Sequence, residues 1–314
     1  MKTCFIFNPC SGRNRQRPQL ALTIRDFISA RSLDATFAST EGPGHATELA
    51  RSAVATGHEV VVAVGGDGTM NEVAQGLVDS PAALALIPCG SGNGLALHLG
   101  LPRSAAGALH LATGAGARIA AVDTGMANGY PFFNAMGLGM DADISRRFNA
   151  LSRRGLPAYV RVAISALREM RSERCTISNC GKSETLDVLL VAVANSDQYG
   201  NNARIAPGAR VDDGRLDLVA VKSLGFFAAA TLVPRLFLGN LDQSPHTVRM
   251  RGRRFLIERA APGLIHTDGE THRTGQTVEV IVKPRSLRVL IPAVSRAVAA
   301  TSETAASRFA LQIS

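Results

Sequence analysis

Tryptophan is absent from the 314-residue sequence, and aromatic residues make up only 5% of it. Because no nucleic-acid recognition motif is present either, this composition argues against a nucleic-acid-binding protein. No apolar run approaches the roughly 20 residues that a membrane-spanning helix needs. The first predicted strand begins at Thr3, so we expect no signal peptide and a cytoplasmic protein.

Acidic residues are also in deficit, since 25 Asp and Glu stand against 34 Lys and Arg, for a formal net charge of +9. The excess favours anionic partners, such as nucleotides, nucleic acid or an acidic membrane surface, without choosing among them. The five cysteines are an odd number without C-x-x-C spacing, so neither a disulfide framework nor a zinc site is indicated. A hydrophobic fraction of 46% can fill the cores of two domains.

The stretch 60–72, VVVAVGGDGTMNE, combines a strand, a glycine turn and the start of a helix. Its first five residues are apolar and mostly β-branched, which is typical of a strand buried on both faces. Three glycines in the next four residues allow positive φ values and let backbone amides approach an anion. The pattern becomes helical from Thr69, and a helix N-terminus presents free amides to the turn. The stretch therefore predicts a phosphate site.

Asp67 lies within this glycine turn. The spacing matches neither the dinucleotide fingerprint nor Walker A. A carboxylate among phosphates would repel them unless a divalent cation intervenes, so Asp67 indicates Mg²⁺ held directly or through water. The alternative is an ordinary glycine-rich turn between a strand and a helix.

The motif G-G-D-G-T at 65–69, followed by Asn71 and Glu72, resembles the diacylglycerol kinase catalytic domain of bacterial lipid kinases, sphingosine kinases and ceramide kinases. Related loops occur in NAD kinases and 6-phosphofructokinases. Alternating strands and helices in the first third of the chain predict a parallel sheet. The resemblance implies an α/β domain over 1–121, a mainly β lipid-binding sandwich over 122–292, and a helical tail over 293–314 that packs back on the first domain.

The resemblance also implies ATP as the phosphoryl donor. The expected ATP contacts are Asn8, Pro9, Cys10, Ser11, Gly12, Thr40, Gly65, Gly66, Asp67, Gly68, Thr69, Met70, Asn71 and Ser91. The loop G-S-G-N-G-L-A at 90–96 is nearer to the sphingosine kinase version, G-S-G-N-A-L-A, than to the G-T-A-N-D-F of many bacterial members. The identity of the lipid therefore stays open.

The second chemical signature is Asp268-Gly269-Glu270, two acids on either side of a glycine at a predicted strand end. Hydroxyl kinases need a carboxylate that orients the attacking oxygen and takes its proton. In the resembled family this motif supplies the base, while the other acid assists through Mg²⁺, and which acid does which is open. The alternative is an Asp-Gly hairpin turn with an exposed Glu.

The loop 210–217, RVDDGRLD, carries three acids. The resemblance implies a structural Mg²⁺ bound by Asp213 and by the backbone carbonyls of Arg210 and Arg215. A solvated β turn is the alternative.

Two segments of the second domain suggest contact with lipid. Residues 146–174 contain eight arginines and two glutamates, which suits either an anionic membrane surface or a solvated basic helix face. Residues 225–241 are apolar enough to line an acyl pocket or to pack in the core. Further strands are expected over 185–194, 215–222, 247–258, 264–267 and 277–291.

We therefore predict a lipid kinase, with Asp67, Asp268 and Glu270 as catalytic residues and diacylglycerol as the favoured acceptor. The alternatives are a sphingoid-base or ceramide kinase, then an NAD kinase, then a non-catalytic basic binding protein. Peripheral contact with an anionic membrane is expected, nucleic acid is not expected as a partner, and a homodimer is open.

Overall fold

The structure is a computed structural model that describes residues 1–16, 19–149, 151, 161–162, 165–166, 168–169, 171–199, 202–295 and 298. The expected tail at 293–314 lies outside the described residues except for 293–295 and 298. Much of the basic segment at 146–174 lies outside them as well. In the part of the chain that is described, no helix is long and apolar enough to cross a membrane.

The N-terminal part is a parallel sheet covered by helices on both faces. Its strands lie in the order β2-β1-β3-β4, and each neighbouring pair is parallel. One core lies between the sheet and α3 and α4, and a second lies between the sheet and α2 and α6. The elements are β1 (Thr3–Phe7), α1 (Gly12–Gln16), α2 (Gln19–Ala30), β2 (Ala35–Ser39), α3 (His45–Ala55), β3 (Val60–Gly65), α4 (Asp67–Leu77), β4 (Ala83–Pro88), α5 (Gly94–His98) and α6 (Ala105–Ala112).

The C-terminal part is a mainly antiparallel β-sandwich. Its core is filled by apolar side chains from facing strands, including the fully buried Phe132 and Phe255. The strands are β5 (Ala117–Ala127), β6 (Tyr130–Phe132), β7 (Ala135–Gly139), β8 (Glu173–Asn179), β9 (Lys182–Ala194), β10 (Leu216–Lys222), β11 (Thr247–Gly252), β12 (Arg254–Arg259), β13 (Gly263–Thr267), β14 (Glu270–Thr274) and β15 (Thr277–Pro292). The helices whose bounds are described are α7 (Met140–Asn149), α8 (Phe226–Leu238) and the 3₁₀ turn Leu241–Gln243.

The expected fold class, a parallel α/β domain followed by a β-sandwich, is confirmed. The single strand expected over 247–258 is wrong, because the chain forms β11 and β12 on either side of Arg253. β11 pairs with β10, whereas β12 pairs with β8 and β15. A Cβ on Gly252 would lie 2.4 Å from the side chain of Asn179, so a larger residue at this point would require that side chain to move.

The long strands β5 and β15 join the two halves. The last part of β15 pairs with β4 in the parallel sheet, through Arg288 and Val289, and with the first part of β5. The first part of β15 pairs with the end of β5 inside the sandwich, after a register shift between Lys283 and Leu287. The division expected between residues 121 and 122 falls within β5 and stays a prediction.

Candidate active site

Three loops meet at the carboxyl edge of the parallel sheet, after β1, β3 and β4. The Ser11 hydroxyl oxygen accepts a hydrogen bond from the Gly66 amide at 2.7 Å. Asn8 Nδ2 donates to Thr69 Oγ1 at 2.9 Å. A Cβ on Gly90 would lie 2.6 Å from the Cα of Gly66, so the loops after β3 and β4 approach as closely as only glycine allows. The predicted ATP-contact segments are thus brought to one place.

Asp67 is the first residue of α4, and its carboxylate ties two of these loops together. Oδ1 accepts from the Gly94 amide at 2.7 Å and Oδ2 from the Asn93 amide at 2.8 Å. Each oxygen keeps a second lone pair, so the arrangement fits Mg²⁺, which is commonly held by one carboxylate, waters and substrate phosphates. Among the described residues, no cluster of three or more His, Cys, Asp or Glu could hold a metal without such a substrate.

The remaining expected ATP contacts differ in what they present to the site. Pro9, Cys10 and Ser91 are exposed. Thr40 is buried, and its amide donates to the Phe7 carbonyl at 2.9 Å. Met70 is buried and packs in the hydrophobic core.

Asn14 supports the first loop, and sequence reasoning missed it. The residue is buried, and its Nδ2 donates to the Asn8 carbonyl at 2.8 Å and to the Val64 carbonyl at 3.1 Å. These bonds hold the loop after β1 against the end of β3. No spacing rule marks an Asn in a short helix as such a support, so the sequence carried no signal for it.

Asp268 lies in the turn between β13 and β14, where φ is 50° at Asp268 and 92° at Gly269. Its carboxylate accepts four hydrogen bonds, three from the amides of residues 133–135 at 2.7 to 2.9 Å and one from Asn71 Nδ2 at 2.9 Å. Burial raises the pKa of Asp268, and these four bonds oppose the rise. Because Asn71 belongs to α4, the turn is fastened to the helix that follows the glycine motif.

Glu270 is the first residue of β14 and is exposed. Within the described part of the chain, no group donates a hydrogen bond to its carboxylate or forms an ion pair with it. Although the residue is exposed, nearby protein atoms displace part of the water around its carboxyl and so raise the pKa of Glu270, and the negative charges of Glu72 and Asp268 raise it further. Glu270 is therefore the acid of the pair that is available to bind a proton.

In the loop 210–217, where a structural Mg²⁺ was expected, two of the acids form ion pairs with arginines. Asp213 pairs with Arg251 and accepts from the Arg215 amide at 3.0 Å. Arg210 makes two bonds of 2.9 Å to Asp212. The Arg251 guanidinium already neutralises the Asp213 carboxylate, so a cation bound there would compete with this ion pair. The metal site of Arg210, Asp213 and Arg215 stays a prediction.

An apolar pocket lies between α7 and α8. As expected for residues 225–241, α8 contributes to both the core and the pocket wall. The lining includes Met140, Ile144, Leu189, Leu232, Val233 and Leu236.

A polar cluster borders this pocket. Asp141 lines the pocket, and its Oδ2 accepts from the Tyr199 hydroxyl at 2.7 Å and bonds with His266 Nε2 at 2.9 Å. His266 is buried two residues before Asp268. Sequence reasoning missed this cluster, because nothing in a sequence joins residues that lie 125 positions apart.

Comparison with known proteins agrees with this geometry. Residues 2–127 match the family described as "Diacylglycerol kinase catalytic domain", and residues 134–291 match "YegS C-terminal NAD kinase beta sandwich-like domain". A Bacillus subtilis protein named "Diacylglycerol kinase" is 29% identical over 275 residues, covering 84% of this chain and 88% of the relative. A Pseudomonas aeruginosa protein named "Probable lipid kinase YegS-like" is 32% identical over 255 residues, covering 80% and 82%.

Solved structures share the fold. The crystal structure of a diacylglycerol kinase from Bacillus anthracis superimposes with a TM-score of 0.72 at 23% identity, covering 92% of this chain and 96% of that one. At 23% identity, this similarity supports a shared fold and nothing further. The matches to both family descriptions extend over most of the chain and over both halves of the site. The chain therefore belongs to the lipid kinase family that joins a diacylglycerol kinase catalytic domain to a YegS C-terminal domain.

Proposed function

We propose that this protein transfers the γ-phosphoryl group of ATP to a lipid hydroxyl, with diacylglycerol as the favoured acceptor and phosphatidic acid as the product. The observation that carries the proposal is the bond of 2.9 Å between Asn71 and Asp268. It joins the helix of the glycine motif to the turn that bears Glu270. A carboxylate with a raised pKa is thereby held beside a phosphate-binding loop.

The phosphates of ATP would lie against the glycine turn 65–68 and the N-terminus of α4. Backbone amides and the positive end of the helix favour the anion there. Mg²⁺ would be held by Asp67 through water and would supply neutralisation of the phosphate charge. Ser11 and Thr69 position the loop through their bonds to Gly66 and Asn8. In phosphoryl transfer the protein takes little part in covalent chemistry. Positioning of the phosphates therefore accounts for much of the rate enhancement.

Glu270 would act as the general base, accepting the proton of the lipid hydroxyl at a carboxylate oxygen. This role is supported by the absence of a hydrogen-bond partner for that carboxylate among the described residues. Asp268 would act as a positioning residue, because its four hydrogen bonds leave it little capacity to accept a proton. Its bonds to residues 133–135 and to Asn71 set the position of the turn that carries Glu270.

The acyl chains would occupy the pocket between α7 and α8. Its wall is almost wholly apolar, apart from Asp141 and Tyr199 at one border. Similarity to the Bacillus subtilis protein named "Diacylglycerol kinase" supports diacylglycerol as the acceptor for this chain. The loop at 90–96 supports a sphingoid base as the second candidate, since its sequence is nearer to that of sphingosine kinases. The net charge of +9 supports peripheral contact with an anionic membrane.

Transfer of labelled γ-phosphate from ATP tests the proposal directly. The acceptors would be diacylglycerol, monoacylglycerol, ceramide, sphingosine and NAD, each with and without Mg²⁺. We expect Mg²⁺-dependent labelling of diacylglycerol. Label on sphingosine alone would move the assignment to the second candidate, and label on NAD alone would reject a lipid acceptor.

A further inference from the structure

Helix α8 exposes two large apolar side chains on one face. Phe227 is 84% exposed and Leu238 is 73% exposed. They are 11 positions apart, which at 3.6 residues per turn puts them on the same side of the helix, roughly 16 Å from each other. Thr231 and Pro234 lie between them on this side and are exposed too. We call these four residues the outer strip of α8, and it carries no charge.

The opposite side of α8 is apolar as well. Ala229 and Leu232 are buried there, and Leu232, Val233 and Leu236 line the apolar pocket. A surface helix of a globular protein normally has a polar face opposite its buried one, and a helix that is apolar all round is normally covered on all sides. We therefore expect the outer strip to be covered by a partner that accepts apolar side chains.

The charges around α8 are mostly positive, since the one carboxylate at a comparable distance along the chain, Asp242, forms an ion pair with Arg249 at 2.9 Å. Residues 218–241 contain no Asp or Glu, and their ionisable residues are Lys222, just before the helix, and Arg235 in its last turn. The Arg204 amide donates to the Leu236 carbonyl at 2.8 Å, and its side chain is 46% exposed, with Asp197 at 3.9 Å as its acidic neighbour. Cations thus lie near both ends of an uncharged strip, which is the pattern of a helix that rests on an anionic bilayer.

We propose that the outer strip of α8 inserts into the interface of an anionic lipid bilayer. The strip is too small for a second copy of the chain, because a stable dimer buries about 800 Å² per partner and two large side chains supply well under half of that. Insertion brings the pocket that α8 lines next to the lipid phase. This surface rests on the proposed lipid kinase function, since a lipid acceptor resides in a bilayer.

The test uses the full chain with Phe227→Ser and Leu238→Ser combined, and Leu22→Ser as the control. Leu22 is 61% exposed on α2 in the nucleotide-binding half, so its replacement removes one exposed apolar side chain from another surface. Sedimentation with vesicles of phosphatidylcholine, with and without phosphatidylglycerol, measures binding. We expect the double variant to bind the anionic vesicles roughly tenfold more weakly and Leu22→Ser to bind like the unaltered protein. Equal binding by all three proteins would overturn the proposal.

Two further measurements separate this surface from the activity. Phosphorylation of a short-chain diacylglycerol dispersed below its aggregation limit should be equal in all three proteins, because the outer strip is not part of the pocket. If none of the proteins phosphorylates any lipid while the vesicle difference remains, the proposed function fails and the surface stands. Sedimentation velocity without lipid tests whether a second copy of the chain binds the outer strip instead. A dimer that forms in the unaltered protein and is lost in the double variant would overturn the bilayer assignment.

Discussion

Asn71 and Asp268 lie 197 positions apart in the chain and are joined by a hydrogen bond of 2.9 Å. Asn71 belongs to the helix that follows the glycine motif, and Asp268 belongs to the turn of the second signature. The bond therefore connects the two halves of the candidate site through side chains. It also separates the roles of the two acids, because it helps to saturate Asp268 and leaves Glu270 available.

Glu270→Gln should abolish most of the activity without loss of stability. A glutamine cannot accept the proton of the attacking hydroxyl, so we expect kcat to fall about 10²- to 10⁴-fold. The exposed carboxylate has no hydrogen-bond partner among the described residues, so the free energy of unfolding should stay within about 0.5 kcal/mol. Single-turnover phosphorylation and urea denaturation measure the two quantities. Activity within twofold of the unaltered protein would remove Glu270 from the role of base.

Asp268→Asn should destabilise the protein. The amide group of asparagine would face donors that now meet a carboxylate oxygen, such as the Phe133 amide and Asn71 Nδ2. Each buried donor left unmatched costs about 1–3 kcal/mol. We expect the free energy of unfolding to fall by about 2 kcal/mol or more, as measured by urea denaturation. Unchanged stability together with lost activity would instead assign Asp268 a direct catalytic role.

The pH dependence of the reaction should follow Glu270. A base must be deprotonated, and its raised pKa means that activity is lost on acidification at a higher pH than for an ordinary glutamate. Glu72→Gln removes one negative charge that raises this pKa, so the acid limb of kcat/KM should shift to lower pH. Glu48→Gln on the exposed side of α3 serves as the control and should leave the profile unchanged. An unshifted limb in Glu72→Gln would exclude Glu270 as the titrating group.

Asp67→Asn should impair both the loops and the response to Mg²⁺. The replacement keeps one acceptor for the amides of Asn93 and Gly94, which now bond both carboxylate oxygens. We expect a loss of roughly 1–3 kcal/mol in unfolding free energy, a large fall in kcat and a higher Mg²⁺ concentration for half-maximal activity. Titration of activity with Mg²⁺ measures the last effect. An unchanged Mg²⁺ requirement would reject Asp67 as the residue that holds the cation.

Gly90→Ala should force the loops after β3 and β4 apart. Its Cβ would lie 2.6 Å from the Cα of Gly66, and such overpacking costs typically 1–3 kcal/mol. We expect weaker ATP binding and a lower melting temperature. Gly275→Ala is the control, because a Cβ there meets nothing within 4 Å. Equal behaviour of the two variants, by calorimetry and ATP titration, would contradict the close approach of the loops.

Much of the fold could be predicted because its signals are local. The apolar run at 60–64 forms β3, and the helix after it begins at Asp67, two residues earlier than expected. The strand expected at 264–267 is β13, but β14 was not foreseen. The D-G-E segment is both a hairpin turn and a candidate catalytic motif, so the two interpretations that competed for it are compatible.

The residue types of the site were determined by the sequence alone, since a glycine turn, a helix start and a pair of acids are recognised within a few positions. Which acid is free was decided only by the tertiary structure, because the donors that saturate Asp268 come from residues 133–135 and Asn71. The same holds for Asp141 and His266, which meet at the border of the pocket. Local chemistry depends on neighbours in the chain, whereas hydrogen-bond partners and burial depend on contacts between distant segments.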